Sequence, residues 1–261
     1  MKRFLALTLI LTLAFSCTAS AHELTIKAKP GTTFEKDKPA ELTVQSAHKF
    51  IIPEEVEVLS RVKAGIIEDG KLVESKLTPD DANLCINFTV TPKNSEGSIM
   101  IVAIKDGETW SITNEGGKTG ARKELEEQGF KVLSANKYDK YAKAIFNTSH
   151  DDKNYNQILG HPLEIIPITN PADLKVNNYM YVKILLNGQP YTGPVWATYN
   201  GFDTTHENTY AYYTEAENGE AFIKITAPGY WGIRAAQGNL PGVEGDYDHL
   251  NLRAFLLFDV K

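Results

Sequence analysis

Five Asp-Gly or Asn-Gly pairs divide this sequence into short segments, and they constrain its fold more than any other feature. The pairs are Asp69-Gly70, Asp106-Gly107, Asn187-Gly188, Asn200-Gly201 and Asn218-Gly219. Such pairs are typical of the tight turns that join antiparallel strands, because Asn, Asp and Gly tolerate a positive φ angle. Apolar or alternating runs flank most of them, so the pattern predicts a mainly β protein with antiparallel strands.

The runs between these turns predict two sets of strands. Before residue 115 they cover residues 41–47, 56–62, 86–91, 98–105 and 109–113, and after residue 150 they cover 163–168, 180–186, 195–199, 210–214, 221–226, 231–236 and 252–260. In the last run, every second residue from Leu252 to Val260 is apolar, which gives the strand one buried face. Seven short strands at this spacing are typical of an immunoglobulin-like sandwich.

Helical patterns separate the two sets of strands. Residues 118–128 are rich in Lys, Arg, Glu and Leu, and Tyr138, Tyr141, Ala142 and Ile145 follow at helical spacing. A polar, turn-rich stretch at 147–156 then predicts an exposed connector. We therefore expect two β-sandwich (immunoglobulin-like) regions joined by a short helical segment. The first, with short helices at its end, would span residues 22–149, and the second would span residues 150–261.

The first 21 residues have the pattern of a secretory signal peptide. Lys2 and Arg3 precede an apolar stretch, residues 4–15, that is too short to span a bilayer, and Ala19-Ser20-Ala21 is a small-x-small cleavage signal. Its removal would lower the formal charge from −6 to −8 and leave no segment long enough for a transmembrane helix. We expect an exported protein, periplasmic or extracellular, without direct membrane insertion. The alternative is a lipidated Cys17, which would anchor the chain to a membrane.

Charge and motifs exclude several functions. With 33 acidic against 27 basic residues, the chain lacks the concentrated positive charge that nucleic-acid binding needs. The signatures His-Glu-x-x-His, Gly-x-Ser-x-Gly and Cys-x-x-Cys are absent from the sequence, so we expect no enzyme. Cys85 would be the only cysteine left after cleavage and would form no intramolecular disulfide. Glu54-Glu55 and three other acidic pairs lack the spacing of a calcium loop and are interpreted as solvated surface.

Cleavage after Ala21 would make His22 the first residue. Its α-amine and imidazole could then chelate a divalent transition metal together. Cleavage after Ala19 would instead place His22 third, and the amine, two amide nitrogens and the imidazole could surround Cu(II) or Ni(II) in a square plane. The simpler interpretation is that His22 follows the cleavage site and begins a strand.

Short motifs in a fixed order extend along most of the chain. They are His22, Ala47-His48-Lys49-Phe50, the Lys-Tyr-Ala-Lys-Ala of residues 140–144, the Gly-His-Pro-Leu-Glu-Ile-Ile-Pro of 160–167, the Leu-Asn-Gly-Gln-Pro of 186–190, the Glu-Asn-Gly-Glu-Ala-Phe of 217–222 and the Pro-Gly-Tyr-Trp of 228–231. This order resembles DUF4198, a domain-of-unknown-function family of exported bacterial proteins, some of which are regarded as periplasmic nickel or cobalt uptake components. The resemblance implies metal binding for delivery or sensing at the cell surface, with a membrane transporter component as partner. It carries over only to His22 and His48.

Two imidazoles and the α-amine offer three nitrogen donors, which suit Ni(II), Co(II) or Cu(II). His206 and His249 lie in polar, loop-like segments, where each is either a solvated histidine or a further ligand. The sequence therefore predicts an exported, non-catalytic transition-metal-binding protein for nickel, cobalt or copper uptake or delivery. Its candidate ligands are His22, His48, His206 and His249.

Two other functions stay open. A carbohydrate- or protein-binding adhesion module would use an exposed aromatic platform, although aromatic residues at strand positions are more typical of a core. The candidates for that platform are Tyr210, Tyr212, Tyr213, Tyr230 and Trp231. A terminal His with a second His is also the core of a histidine-brace copper enzyme.

Overall fold

The structure is a computed structural model and describes residues 22–94 and 96–261. The predicted leader, residues 1–21, and its Cys17 lie outside the described residues. Among these described residues, one short α-helix accompanies eighteen strands, so the predicted mainly β class is confirmed. Within the described chain, no helix has the length and apolar character needed to cross a membrane.

The strands, in chain order, are β1 (Glu23–Ala28), β2 (Ala40–Ala47), β3 (Val62–Glu68), β4 (Lys71–Glu74), β5 (Thr78–Asp80), β6 (Cys85–Val90), β7 (Ile99–Lys105), β8 (Thr109–Thr113), β9 (Gly116–Thr119), β10 (Val132–Phe146), β11 (Leu163–Pro167), β12 (Tyr179–Leu186), β13 (Gln189–Pro190), β14 (Gly193–Tyr199), β15 (Tyr212–Ala216), β16 (Glu220–Lys224), β17 (Gly229–Val243) and β18 (Tyr247–Val260). The helix α1 is Arg122–Glu127, and single turns of 3-10 helix lie at Leu59–Arg61, Asn154–Asn156 and Pro171–Asp173. Three of the predicted Asx-Gly turns join consecutive strands with both residues at positive φ: Asp69-Gly70, Asn187-Gly188 and Asn218-Gly219.

These strands form three sheets. The first sheet has the order β1-β2-β6-β5, and the third groups β11, β13 and β16 around β12. The second has ten strands in the order β15-β14-β17-β18-β10-β7-β3-β4, with β8 paired to β10 and β9 paired to β8. In this sheet β10 and β18 run parallel, and the other pairs are antiparallel. Strands from both sides of residue 150 therefore share one sheet, while the domain boundary near 150 stays a prediction.

Two buried clusters lie on opposite faces of β18. Leu252 to Val260, taken at every second residue, belong to a cluster with residues of the third sheet. Phe255 and Leu257 point the other way, into a cluster with residues of the first sheet such as Leu24 and Leu42. The apolar face predicted for this strand is confirmed, and its other face is also buried at Phe255 and Leu257.

The predicted helix over Tyr138 to Ile145 is wrong, because this segment is part of β10. The strand lies between β7 and β18, with buried residues on both faces, so it lacks the alternation that marks a half-buried strand. Lys140 and Lys143, which lie within the predicted helix, are buried and paired with Glu57 and Glu164. The helix predicted over residues 118–128 is present, in shorter form, as α1.

The strand predicted over residues 56–62 is also wrong. A 3-10 turn occupies Leu59–Arg61, and the strand β3 begins only at Val62. The strand predicted over residues 109–113 is present with the same ends as β8. The other predicted strands are present with shifted ends, and β17 and β18 are much longer than predicted. Cys85 is buried and free within the described chain.

Candidate metal centre

The pairing of β1 with β2 brings His22 and His48 together at one end of these two strands. Glu23 lies opposite Ala47 in this ladder, so the residues that flank the pair, His22 and His48, come together. The buried side chains of Leu24 and Ile26 fix the register, since a shift by one residue would move them out of the apolar core and onto the face that Glu23 and Thr25 occupy. The centroids of the two imidazole rings are 3.9 Å apart.

A tight reversal of the chain after His48 brings Glu54 and Glu55 to the same end of the two strands. The N–H of Ile52 donates to the carbonyl oxygen of Lys49, and the N–H of Glu54 donates to that of Ser46. Ile51 has a φ of 53° and is buried. A β-branched residue at positive φ is strained, and such strain is common at functional sites. The reversal returns Glu54 and Glu55 to the side of the two histidines.

Glu54 contacts both histidines through one oxygen. Its Oε2 lies 2.8 Å from Nδ1 of His48 and 3.3 Å from Nε2 of His22, and it also accepts the backbone N–H of His48. One ligand atom from each of these three residues falls within 4.8 Å of the others. All three side chains are partly buried.

This spacing fits a transition metal. Ligand bonds of about 2.1 Å in a tetrahedral site place neighbouring donor atoms about 3.4 Å apart, close to the separation of His22 Nε2 from Glu54 Oε2. Oε1 of Glu54 is buried and has no hydrogen-bond partner among the described residues. Nζ of Lys49 lies 3.8 Å from that oxygen, whereas Oε2 is the oxygen that faces the two histidines. Two imidazoles with a carboxylate suit Ni(II), Co(II), Cu(II) or Zn(II).

Glu55 orients the ring of His22. Its Oε1 lies 2.8 Å from Nδ1 of His22, on the opposite side of the ring from Nε2. The hydrogen bond from His22 lowers the pKa of Glu55 to about 2, so the carboxylate is ionised near neutral pH. A carboxylate that holds one ring nitrogen leaves the other as the metal ligand, an arrangement typical of metal-binding histidines. Nε2 of His22 is therefore the nitrogen that faces Glu54 and His48.

Glu54 is also ionised. Burial raises its pKa, but the hydrogen bonds from the ring and the backbone N–H of His48 outweigh burial and lower the pKa overall. The site therefore offers a negative charge to a cation.

The solvated-surface interpretation of Glu54-Glu55 is wrong for this pair. Both residues contact the histidines because the chain reverses after His48, and no spacing rule for calcium loops detects that geometry. The one sequence feature that could have pointed to these residues is the presence of two acidic residues shortly after His48.

The other two candidate histidines do not join this group. His206 is exposed, and its Nδ1 lies 2.8 Å from the carboxylate of Asp203. Its loop does reach the site, since the N–H of Asn208 donates to the carbonyl oxygen of His48. His249 is exposed on β18, where it lies opposite Pro241 of β17 on one side and Asn136 of β10 on the other. The structure therefore brings together His22 and His48 only.

Of the five aromatic residues that are candidates for an exposed platform, at least two belong to the interior of the protein. Trp231 is fully buried, and the hydroxyl of Tyr230 donates to the carbonyl oxygen of Ile26. Tyr213 is exposed, with its ring near that of Trp196. The core interpretation is confirmed for Trp231, and the five residues do not form one exposed surface.

The fold and these side chains define a mainly β protein with a partly buried group of two histidines and two glutamates beside its first described strand. The chain belongs to the family described as Domain of unknown function (DUF4198), which it matches over residues 19–238. The resemblance inferred from the order of short motifs is thereby confirmed. No curated protein matches the chain.

Proposed function

We propose that this protein is an exported, non-catalytic metal-binding protein that takes up or delivers nickel, cobalt or copper. The observation that carries the proposal is the position of His22 and His48 around one oxygen of Glu54. Calcium and magnesium prefer sites made only of oxygen ligands, whereas imidazole favours the later transition metals. The ion is the cargo of the protein, and a membrane transporter component is the partner that would receive it.

Partial exposure of the site supports delivery rather than permanent storage. Three protein ligands leave coordination positions open, and an open position allows an ion to be exchanged. A structural site would be closed by four protein ligands.

The α-amine of His22 is a further ligand if cleavage follows Ala21. A chelate of the amine and the imidazole uses Nδ1, the ring nitrogen nearer the backbone, and here Nδ1 contacts Glu55. The side-chain site uses Nε2, which faces Glu54. The two ligand sets therefore differ in which nitrogen of His22 binds the metal.

The finer architecture that we propose is two immunoglobulin-like β-sandwich regions. Two buried clusters support it, since each combines one face of the ten-stranded sheet with residues of a smaller sheet.

Metal analysis of the protein exported through its own leader tests the function. We expect an intact mass that begins at His22 and about one Ni, Co or Cu ion per chain in the absence of an affinity tag. Calorimetry measures the affinity for Ni(II). His48→Ala and Glu54→Gln should each weaken this affinity by at least about tenfold, because loss of a residue that only hydrogen-bonds a metal ligand already costs that much. His249→Ala, an exposed histidine outside the group, is the control. Unchanged affinity in both site variants would show that the metal binds elsewhere.

One added residue before His22 separates the two ligand sets. The amine chelate predicts that this insertion abolishes most of the affinity, because it moves the amine while all side chains remain. The side-chain site predicts that affinity stays close to that of the wild type.

A histidine-brace copper enzyme is the second candidate, because the same two imidazoles would hold copper. It predicts peroxide production from the copper-loaded protein in the presence of ascorbate. Copper binding without turnover would favour the delivery function.

A further inference from the structure

A cavity of about 390 Å³ opens beside His22 and Glu55. This volume lies in the range of small-molecule binding sites. Its wall also includes two aromatic residues, Trp110 and Tyr138, and two cationic residues, Lys105 and Lys140. The cavity therefore combines apolar surface, charged groups of both signs and one candidate metal ligand.

Strand register places these four residues on one face of the ten-stranded sheet. Trp110 of β8 lies opposite Asn136 of β10, and Lys105 of β7 lies opposite Lys140 of β10. Opposite residues in a ladder share a face, as do residues two apart on one strand. Asn136, Tyr138 and Lys140 are two apart, so Trp110, Tyr138, Lys105 and Lys140 project together.

The indole of Trp110 is held in place although 41% of the residue is exposed. It packs directly on the backbone of Gly117 in β9, where a Cβ atom would lie 2.2 Å from the ring. A glycine is therefore required at position 117 for this close approach. A braced, solvent-facing indole is typical of a surface on which a planar ligand stacks.

The two lysines both interact with the carboxylate of Glu57. Glu57 contacts Nζ of Lys105, and its other oxygen lies 3.4 Å from Nζ of Lys140. Burial lowers the pKa of Lys140, so the ammonium form is underhydrated and gains from another anion. The wall also holds two acids: Glu55 contacts His22 and feels the charges of Lys105 and Lys140, and Glu108 lies 3.7 Å from Arg61.

We propose that this cavity binds a small organic carboxylate with a planar apolar body. The carboxylate would lie at Lys105 and Lys140, and the body would lie between Trp110 and Tyr138. Because His22 lines the cavity, the ligand would also reach a metal bound at His22 and His48. The cargo is then a metal–carboxylate complex, and this last step rests on the proposed function.

Benzoate is the probe for the cavity itself, with the full mature chain freed of metal. We expect saturable binding by calorimetry and quenching of tryptophan fluorescence. Benzamide, the neutral analogue, should bind at least about tenfold more weakly, because it lacks the charge that pairs with the lysines. Lys105→Gln should weaken benzoate binding to a similar degree while the circular dichroism spectrum stays unchanged. Lack of saturable binding, or equal affinity for benzamide, would overturn the proposal.

Two tryptophan variants locate the ligand. Trp110→Phe should remove the quenching, whereas Trp196→Phe should keep it, because Trp196 stacks against Arg234 outside the cavity wall. Quenching that is lost in Trp196→Phe and kept in Trp110→Phe would place the ligand elsewhere and overturn the assignment.

Picolinate, an aromatic carboxylate that also chelates metals, tests the link to the metal. Ni(II) loaded at one equivalent should raise the affinity of the wild type for picolinate at least about tenfold, and it should not do so in His48→Ala. Nickel binding without this rise would overturn the metal–carboxylate complex and leave the proposed function intact. Benzoate binding by a protein that takes up no metal would overturn the proposed function and leave the carboxylate site.

Discussion

At the scale of single residues, burial of His161 makes stability depend on pH. Its ring stacks on that of Tyr141 with centroids 5.2 Å apart, and burial lowers the pKa of His161 to about 4. Between pH 6.5 and 4 the unfolded chain therefore binds a proton that the folded chain does not bind. Stability due to this residue is present above pH 6.5 and is lost as the pH falls towards 4.

We expect His161→Gln to reduce this dependence. Acidification from pH 7.5 to 5 should cost the wild type about 2 kcal/mol more than the variant, measured by guanidinium unfolding at both pH values. Any packing lost in the variant lowers its unfolding free energy equally at both pH values. It therefore cancels when the change in unfolding free energy from pH 7.5 to pH 5 is compared between the two proteins. Equal losses in the two proteins would mean that His161 is protonated in the folded state.

In the proposed metal site, Glu55 would act on the ion through His22. Glu55→Gln should weaken Ni(II) binding by about 10- to 100-fold, because the amide holds Nδ1 of His22 less strongly than a carboxylate does. Its effect on unfolding free energy should stay below about 1 kcal/mol, since the carboxylate is 44% exposed. Calorimetry and chemical unfolding measure the two effects, with the exposed Glu126→Gln as the control. A large loss of stability with unchanged nickel affinity would assign Glu55 a structural role.

Sequence motifs singled out His22 and His48 as candidate ligands but not the two glutamates that lie beside them. The histidines were marked by their place in a recognisable order of motifs, whereas Glu54 and Glu55 belong to the site because of the reversal at Ile51. An isoleucine at positive φ is stabilised by tertiary packing, which no local pattern contains.

At the scale of elements, an ion pair joins β10 to β11. Nζ of Lys143 lies 2.6 Å from Oε1 of Glu164, and the side chains are only 3% and 1% exposed. Glu164 also accepts the N–H groups of Leu159 and Gly160, which fix the segment before β11. The pair therefore fixes the third sheet relative to the ten-stranded sheet.

Removal of one partner should be costly. Lys143→Met leaves the carboxylate of Glu164 buried without its cation, and we expect a loss of about 3–5 kcal/mol in unfolding free energy. Lys63→Met is the control, because Lys63 and Glu74 form an exposed pair that is worth less than about 1 kcal/mol. Chemical unfolding at pH 7 measures both. A similar, small loss in the two variants would mean that water reaches Glu164.

Burial on both faces of β10 also explains why residues 138–145 were predicted as a helix. Strands with one solvent face, such as β8, alternate in burial and were found from the sequence. β10 is covered on both sides and carries Lys140 and Lys143 inside, each beside a glutamate from a distant segment. Their pairing depends on tertiary structure, so the local hydropathy pattern indicates the period of a helix and not that of a strand.

At the scale of the whole molecule, the last strand lies in the middle of the largest sheet. β18 pairs with β17 on one side and, in parallel, with β10 on the other. The N-terminal and C-terminal parts of the chain therefore share a sheet across the position where composition placed a domain boundary. Without β18, an edge of β10 and the buried face around Ala142 and Ala144 would be open to solvent.

This topology predicts the behaviour of fragments divided near residue 150. Residues 22–149 alone should be aggregated or partly unfolded, because loss of Phe255 and Leu257 removes apolar partners from the core beneath the first sheet. Co-expression with residues 150–261 should restore a soluble complex whose circular dichroism spectrum and cooperative unfolding match those of the intact chain. A fragment 22–149 that unfolds cooperatively by itself would instead establish the boundary that the sequence predicts. The pairing of β10 with β18 would then be an interface between two independently folded units, and nickel binding by that fragment would place the complete metal site in the first of them.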